Sequence, residues 1–199
     1  MRHVAGILLA AGNSRRFGSS KLLAQLADGT PLAIAAASTL ITAVPASIAV
    51  VRPGDDELAA LLAEKGFQIV ECAEAEWGMG HSLAAGVAAA GRADAWLLAL
   101  ADMPCIKIST IVGLIAQLRA GSLLVAPFHA GRRGHPVGFA AEFGPELLSL
   151  SGDAGAREIL ARHASSLTRL DVDDPGILID VDTPGDPRLA KAQMDGLTR

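Results

Sequence analysis

Short apolar runs alternate along this chain with longer stretches that have a helical pattern. Apolar runs of four to eight residues that end at glycine or proline are typical of buried strands. The pattern predicts strands at Val4–Leu9, Ser47–Val51, Phe67–Glu71, Ala95–Leu100 and Leu123–Pro127. The helical stretches between and after them are Pro31–Ala43, Asp55–Lys65, His81–Ala90 and Ser109–Ala120, the last with Ser109 as its N-cap.

This alternation of strands and helices predicts the fold class, a Rossmann-like three-layer α/β/α sandwich around a mostly parallel sheet. After Phe128 the alternation loosens, so that some later strands are expected to be antiparallel. The later strands are predicted at Pro136–Phe139, Leu167–Leu170 and Ile177–Asp180, and the later helices at Ala154–His163 and Pro187–Met194. Because no repeat, low-complexity run or linker interrupts the 199 residues, we predict a single domain, 1–199.

The composition excludes some partners. The chain is 51% hydrophobic and 19% charged, which is enough apolar material for a substantial core. It has no Tyr, two Trp and five Phe, too few aromatic rings for a platform that stacks single-stranded nucleic acid. The formal net charge of -4 provides no general attraction for phosphate, so any phosphate site must be local and nucleic acid is not expected as a partner.

The expected compartment is the cytoplasm, without a membrane. Two cysteines, Cys72 and Cys105, make neither a disulfide framework nor a zinc cluster. The apolar run that follows Met1 is too short for a signal peptide, and no segment has the roughly 18 apolar residues that a spanning helix needs.

A glycine-rich loop, Leu9–Lys21, follows the first predicted strand. In open α/β sheets ligands bind beyond the carboxyl ends of strands, and small residues let backbone N–H groups approach a phosphate closely. Five residues separate Gly12 from Gly18 and no Lys-Ser/Thr pair follows Gly18, so the loop matches neither the P-loop nor the dinucleotide fingerprint. On these local features a phosphate cradle and an ordinary strand-to-helix turn are equally good interpretations.

Acidic residues stand at two further strand ends. Asp102 follows Ala95–Leu100, and Asp180 and Asp182 lie at or just beyond the end of Ile177–Asp180. Mg²⁺ is often held by one or two carboxylates together with substrate phosphates, so these acids are candidate ligands. The alternative is that they only form turns with the prolines that follow them, Pro104 and Pro184.

Six segments together resemble a known family. Leu9–Lys21, with its pattern Leu-Ala-Ala-Gly-x-Ser-x-Arg-Phe-Gly-x-x-Lys, is similar to the signature of the MobA-like nucleotidyltransferases, and more narrowly of the molybdenum cofactor cytidylyltransferases. The other matching segments follow in the family's order: Trp77–Leu83, Leu100–Pro104, Gly131–Pro136, Gly152–Arg157 and Asp180–Pro184. The resemblance implies a nucleotide-diphospho-sugar transferase-like fold and transfer of CMP from CTP to molybdopterin with release of pyrophosphate.

The resemblance also implies roles for individual residues. Arg16 and Lys21 would contact the nucleotide phosphates and, with Asp102, form the catalytic group, while Asp102 and Asp182 would hold Mg²⁺. His135 and Arg157 would line the acceptor side. Arg132 and Arg133 are either acceptor-binding residues or parts of a solvated basic loop. The residues implied to bind the nucleotide are Leu9, Ala10, Ala11, Gly12, Arg16, Lys21, Gly80, Ser82 and Asp102.

Several alternatives stay open. Relatives that use GTP commonly have Gly-Gly at Ala10-Ala11 and Met at Phe17, so this chain is similar to the cytidine branch. A second enzyme hypothesis keeps the fold and changes the acceptor to a sugar phosphate or a phospholactate. The chain could also be a non-catalytic chaperone that hands the finished cofactor to a molybdenum hydroxylase. Some family members carry an oxidoreductase label, against which the missing dinucleotide fingerprint argues here.

Overall fold

The computed structural model describes residues 2–12, 21–153 and 155–181. In this part of the chain the strands are β1 Val4–Leu9, β2 Ser47–Val51, β3 Gln68–Glu71, β4 Ala95–Leu100, β5 Leu124–His129, β6 Arg132–Arg133, β7 Val137–Ala140 and β8 Leu167–Asp171. The helices are α1 Leu32–Ala43, α2 Asp56–Glu64, α3 Met79–Ala89, α4 Ile108–Ala120, α5 Gly144–Leu148 and α6 Arg157–Arg162. None of these helices is long and apolar enough to cross a membrane.

All eight strands form one sheet in the order β3-β2-β1-β4-β7-β5-β6, and β8 also pairs with β5. β1 pairs in parallel with β2 and β4, β2 pairs in parallel with β3, and β5 pairs in parallel with β8. β7 is antiparallel to both β4 and β5, which confirms the prediction that some late strands reverse direction. The chain moves outward from β1 to β3 and then returns to β4 on the other side of β1. The point between β1 and β4 is therefore the topological switch point at which such sheets bind ligands.

The central strands are buried on both faces, whereas β3, β6 and β8 are partly exposed, and the two faces of the sheet carry separate cores. Along β1, Val4 and Leu8 belong to the core that includes side chains of α1, α2 and α4, while Ala5 and Ile7 belong to the core that includes those of α3, α5 and α6. Successive side chains on a strand point to opposite faces, which explains this division. The predicted three-layer α/β/α sandwich is confirmed.

A glycine sets the position of α3 on the sheet. A Cβ at Gly86 would lie 2.6 Å from Ile7 Cγ2 and 3.0 Å from Val50 Cγ2, so only a glycine lets the helix pack this close to β1 and β2. Met79 is seven residues earlier, about 10 Å along the helix at 1.5 Å per residue. Because α3 connects β3 to β4, which run in the same direction, it crosses back over the sheet, and its N-terminus lies at the edge where the parallel strands end.

The prediction of a strand at Ile177–Asp180 was wrong. This segment begins in a short 3-10 helix, Pro175–Leu178, and Pro175 stands at its first position. The Asp174 side chain accepts a hydrogen bond from the Gly176 amide at 3.0 Å, which closes a turn ahead of the apolar residues. The predicted helix Pro187–Met194 lies outside the described residues.

The N-cap predicted at Ser109 was also wrong. Helix α4 begins at Ile108, with Lys107 as the preceding residue. Asp174 Oδ2 accepts hydrogen bonds from the Lys107 amide at 2.9 Å and from Thr110 Oγ1 at 2.6 Å. The cap therefore comes from a carboxylate more than 60 residues away in sequence, which a local pattern cannot reveal.

Candidate functional site

The carboxyl ends of β1 and β4 bring two of the predicted site segments together. Leu9 is in register with Leu100, and the Ala101 amide donates to the Leu9 carbonyl at 3.1 Å. The start of the glycine-rich loop therefore lies beside the loop that carries Asp102. This contact is at the topological switch point of the sheet.

The first residues of the glycine-rich loop differ in what they offer a ligand. The Ala10 amide donates to the Val50 carbonyl at 2.9 Å, so it belongs to the sheet. Within the described part of the chain, the amides of Ala11 and Gly12 have no hydrogen-bond partner. Gly12 is exposed, and a Cβ built on it meets nothing within 4 Å. These two amides are the available donors for an anion at this edge.

Lys21 and Asp102 form an ion pair across this edge. Lys21 Nζ lies 3.1 Å from Asp102 Oδ2, and the two side chains are 16% and 30% exposed. They are 81 residues apart in sequence, so the fold itself assembles them. Of the other predicted catalytic and metal residues, Arg16 and Asp182 lie outside the described residues.

The chain segment 175–181, here called the C-terminal strap, lies against the Asp102 loop. The Val181 amide donates to the Asp102 carbonyl at 2.9 Å. A Cβ on Gly176 would overlap the Cys105 carbonyl, so this glycine lets the strap pack directly on the loop backbone. Asp174, the residue directly before the strap, is 1% exposed. Sequence reasoning missed Asp174, although the run Asp174-Pro175-Gly176 is a turn signal.

His135 lies in a bulge that also contacts the strap. β6 and β7 form one arm opposite β5, but their registers differ: Phe128 pairs with Arg133, whereas Val125 pairs with Gly138. The registers differ by two residues, so His135 and Pro136 have no opposite residue on β5 and form a bulge in the ladder. The His135 amide donates to the Ile177 carbonyl at 3.0 Å, so the bulge and the strap are fastened to each other.

The electrostatic surroundings of His135 favour its neutral form. Burial lowers its pKa below the usual value and the positive charge of Arg133 lowers it further, while Asp102 and Asp180 oppose the shift. Its Nδ1 is buried and has no hydrogen-bond partner among the described residues. His135 therefore brings a neutral imidazole to within electrostatic reach of Asp102.

This lowered pKa predicts a pH-dependent stability. Below about pH 6.5, His135 becomes protonated in the unfolded chain, whereas in the folded protein it stays neutral to a lower pH. Protonation therefore favours the unfolded chain, and the free energy of unfolding should fall as the pH is lowered. In His135→Gln this contribution is missing. We expect the stability advantage of the wild type over His135→Gln to be smaller at pH 5 than at pH 7.5, measured by urea unfolding. An advantage that is equal at both pH values, or larger at pH 5, would contradict the assigned pKa direction.

The N-terminus of α3 forms another wall of this edge. The Gly80 amide donates to the Gly152 carbonyl at 2.8 Å, and a Cβ on Gly80 would lie 2.8 Å from backbone atoms of Ser151. Ser82 is 3% exposed and its side chain lies beside the Cys72 thiol. Arg157 is exposed at the first residue of α6. The structure thus locates Gly80 and Ser82 in packed surroundings and Arg157 at the surface.

Comparison with known proteins identifies the family. A family model described as "MobA-like NTP transferase domain" matches residues 6–167. The purine catabolism protein PucB of Bacillus subtilis (strain 168) is 30% identical over 202 residues, which cover 96% of this chain and 98% of PucB. The nicotine blue oxidoreductase of Paenarthrobacter nicotinovorans is 31% identical over 188 residues, which cover 90% of this chain and 92% of that protein.

Solved structures agree with this result. The crystal structure of Rv0371c from Mycobacterium tuberculosis H37Rv has a TM-score of 0.82 and 28% identity, covering 96% of this chain and 98% of that one. A complex of Rv0371c with manganese has a TM-score of 0.77 and 23% identity, covering 96% and 97% of the two chains. From its matched segments, its sheet order and these similarities, the chain belongs to the MobA-like NTP transferase family.

Proposed function

We propose that this protein is a Mg²⁺-dependent cytidylyltransferase of one domain that transfers CMP from CTP to the phosphate of molybdopterin and releases pyrophosphate. The observation that carries the proposal is the Lys21–Asp102 pair, 3.1 Å apart, at the switch point of the sheet. The same edge holds the amides of Ala11 and Gly12, which have no hydrogen-bond partner among the described residues. A nucleoside triphosphate and its metal ion are bound by cations, carboxylates and backbone amides, and this edge of the sheet offers all three.

The proposed metal ligands are Asp102 and Asp182. Mg²⁺ favours oxygen ligands and is usually held by one or two carboxylates together with substrate phosphates and water. Asp102 fits this, because its side chain is 30% exposed and its negative charge is already matched to a cation. We propose that the nucleotide phosphates complete the coordination of the metal. A bound Mg²⁺ would neutralise charge on those phosphates. The manganese complex of Rv0371c supports a divalent metal.

The proposed reaction needs no covalent bond between the protein and either substrate. The acceptor phosphate has a second pKa near 6, so it is largely a dianion at neutral pH and needs no general base. Its oxygen forms a bond to the α-phosphorus of CTP while the bond to the bridging oxygen breaks, and pyrophosphate leaves with that electron pair. The protein must hold two anions in line and balance their charge. We assign that work to Lys21 and Arg16 on the phosphates.

The remaining predicted residues divide between the two substrates. Gly80 and Ser82 would lie near the base and ribose, with Leu9 and Ala10 supporting the loop that binds the nucleotide. His135 and Arg157 would contact the acceptor, and the bulge that expels His135 from the ladder supports this role. The small Ala10-Ala11 pair together with Phe17 favours cytosine over guanine, by the resemblance described above.

The proposed setting is the cytoplasm, with a molybdenum hydroxylase apoenzyme as a possible recipient of the product. This setting is proposed from the sequence, in which two cysteines are too few for a disulfide framework. The name of the oxidoreductase relative does not carry over to this chain, because the glycine-rich loop lacks the dinucleotide fingerprint.

Pyrophosphate release tests the proposal. The protein is incubated with Mg²⁺, molybdenum-loaded molybdopterin and either CTP or GTP, and pyrophosphate is quantified over time. We expect release with CTP and much less with GTP. Release with GTP alone would move the protein to the guanylyl branch. Tight binding of molybdopterin without any release would support a chaperone and overturn the proposed enzyme.

A further inference from the structure

We propose that Arg133, and not its neighbour Arg132, binds the phosphate of the acceptor. The inference rests on the proposed transfer to a phosphate monoester and names the side chain that holds that group. Both arginines are exposed on the short strand β6, at the tip of the β5–β6 hairpin. Sequence alone cannot separate them, because they are adjacent and have the same charge.

The strand register separates the two arginines. Arg133 is directly opposite Phe128, and Arg132 is directly opposite His129. Directly opposed residues on neighbouring strands share a face of the sheet. Phe128 packs against the core of α3, α5 and α6. Arg133 is therefore on the face where the N-terminus of α3 and Arg157 stand, and Arg132 is on the opposite face.

Arg133 also lies within electrostatic range of the proposed site. Its positive charge lowers the pKa of His135, whereas the charges of Asp102 and Asp180 raise it. His135 is two residues from Arg133 in the chain, and its amide donates to the Ile177 carbonyl of the strap, whose Val181 amide donates to the Asp102 carbonyl. We therefore place an anion held by Arg133 close to the proposed metal and α-phosphate.

Within the described part of the chain, no ion pair joins Arg133 to a carboxylate. Asp171 of β8 lies on the same face of the sheet as Arg133, because both residues are in register with Phe128 of β5, one on each side of that strand. Asp171 Oδ1 is already engaged by Arg169, whose Nε and Nη2 lie 2.8 and 2.7 Å away. The Arg169 guanidinium lies 4.5 Å above the centre of the Phe128 ring, so this ion pair is held in place on the ring.

A dianionic phosphate monoester is the ligand that fits this arrangement. An uncompensated guanidinium offers a planar fork of donors that matches phosphate oxygens. Two residues away, His135 has a buried Nδ1 without a hydrogen-bond partner among the described residues, so its imidazole adds hydrogen-bonding capacity. The same chemistry would also suit the triphosphate of the nucleotide, so the test must distinguish the two sources of phosphate.

The matched pair Arg133→Ala and Arg132→Ala makes that distinction. Each variant removes one positive charge from the same hairpin, one residue apart. For Arg133→Ala we expect the KM for the acceptor to rise about 10-fold or more, as for the loss of a charge-assisted hydrogen bond, with the KM for CTP unchanged. For Arg132→Ala we expect both KM values within about 2-fold of the wild type, since a surface charge acts weakly. Arg133→Lys should restore part of the loss, because it keeps the charge but not the fork.

Equal effects of the two alanine variants would overturn the inference, because they would show that positive charge anywhere on the hairpin attracts the acceptor. An equal rise in the KM for CTP would assign Arg133 to the nucleotide instead, which also overturns it. Circular dichroism checks that each variant is folded, as is expected for exposed side chains.

A binding measurement separates failure of the inference from failure of the proposed function. The protein is first saturated with Mg²⁺ and a non-hydrolysable CTP analogue, and inorganic phosphate is then titrated by calorimetry. We expect binding in the wild type and in Arg132→Ala and its loss in Arg133→Ala. This result would uphold the subsite even if molybdopterin is not the acceptor. Absence of phosphate binding in the wild type, or its persistence in Arg133→Ala, would overturn the subsite even if CMP transfer is observed.

Discussion

Replacing Asp102 with alanine is expected to lower the rate of nucleotidyl transfer by at least about 100-fold, the scale for removing one preorganised group that stabilises transition-state charge. The variant loses the only described carboxylate proposed to hold the metal. It also leaves Lys21, which is 16% exposed, without the partner that lies 3.1 Å away. The measurement is pyrophosphate release at saturating CTP and acceptor over a range of Mg²⁺ concentrations.

Two further variants test whether the loss of activity comes from the missing carboxylate charge of Asp102. Asp102→Asn keeps the shape of the side chain and removes the charge, and it should be nearly as inactive as alanine. Glu146→Gln also perturbs a partly exposed ion pair, in which Arg162 Nη1 lies 2.8 Å from Glu146 Oε2 on the α5–α6 side of the protein. Its activity should stay within about 2-fold of the wild type, as for a surface ion pair. Full activity in Asp102→Asn would show that the carboxylate charge is not needed and that the metal assignment is wrong.

Replacing Asp174 with alanine is expected to lower the free energy of unfolding by about 3 kcal/mol, because it leaves buried donors without a partner. Asp174 is 1% exposed and accepts hydrogen bonds from the Lys107 amide, Thr110 Oγ1 and the Gly176 amide. Its loss would uncap helix α4 and release the turn that begins the C-terminal strap. Urea unfolding of the two proteins measures the difference.

The strap gives this substitution a second expected effect. Val181, at the end of the strap, donates to the Asp102 carbonyl, so loosening the strap should weaken Mg²⁺ activation as well as stability. Asp171→Ala is the matched control, since it removes a carboxylate that accepts two hydrogen bonds, against three for Asp174, but is 69% exposed. It should change stability little, because solvent screens an exposed pair. Equal destabilisation by the two variants would mean that the burial of Asp174 is not what makes it important.

The sequence predicted the central strands well because their signal is local. The bounds of β1, β2 and β4 are those expected from continuous apolar runs, since strands buried on both faces have no polar alternation to blur their ends. Helix ends were less certain: α3 begins at Met79 and not at His81, and α4 at Ile108 and not at Ser109. Helix ends depend on caps, and Asp174 supplies the cap of α4 from a distant segment.

Elements that depend on distant partners were missed or assigned wrongly. β6 has only two residues and exists because Arg133 and Arg132 pair with the end of β5. The segment Ile177–Asp180 has a strand-like composition, but the turn made by Asp174 and the packing of the strap on the bulge at His135 give it another backbone course. Short apolar segments carry too little periodicity to exclude a strand.

The sequence by itself determined the fold class, the family and the set of residue types available for chemistry, because apolar period and motif order are properties of the linear chain. Only the tertiary structure decided that Lys21 and Asp102 meet, that the Ala10 amide belongs to the sheet, and that Arg133 and Arg132 point to opposite faces. Those outcomes follow from strand register and from contacts between segments far apart in sequence. A shift of one residue in register reverses every side chain on a strand, and no local pattern specifies that register for a strand as short as β6.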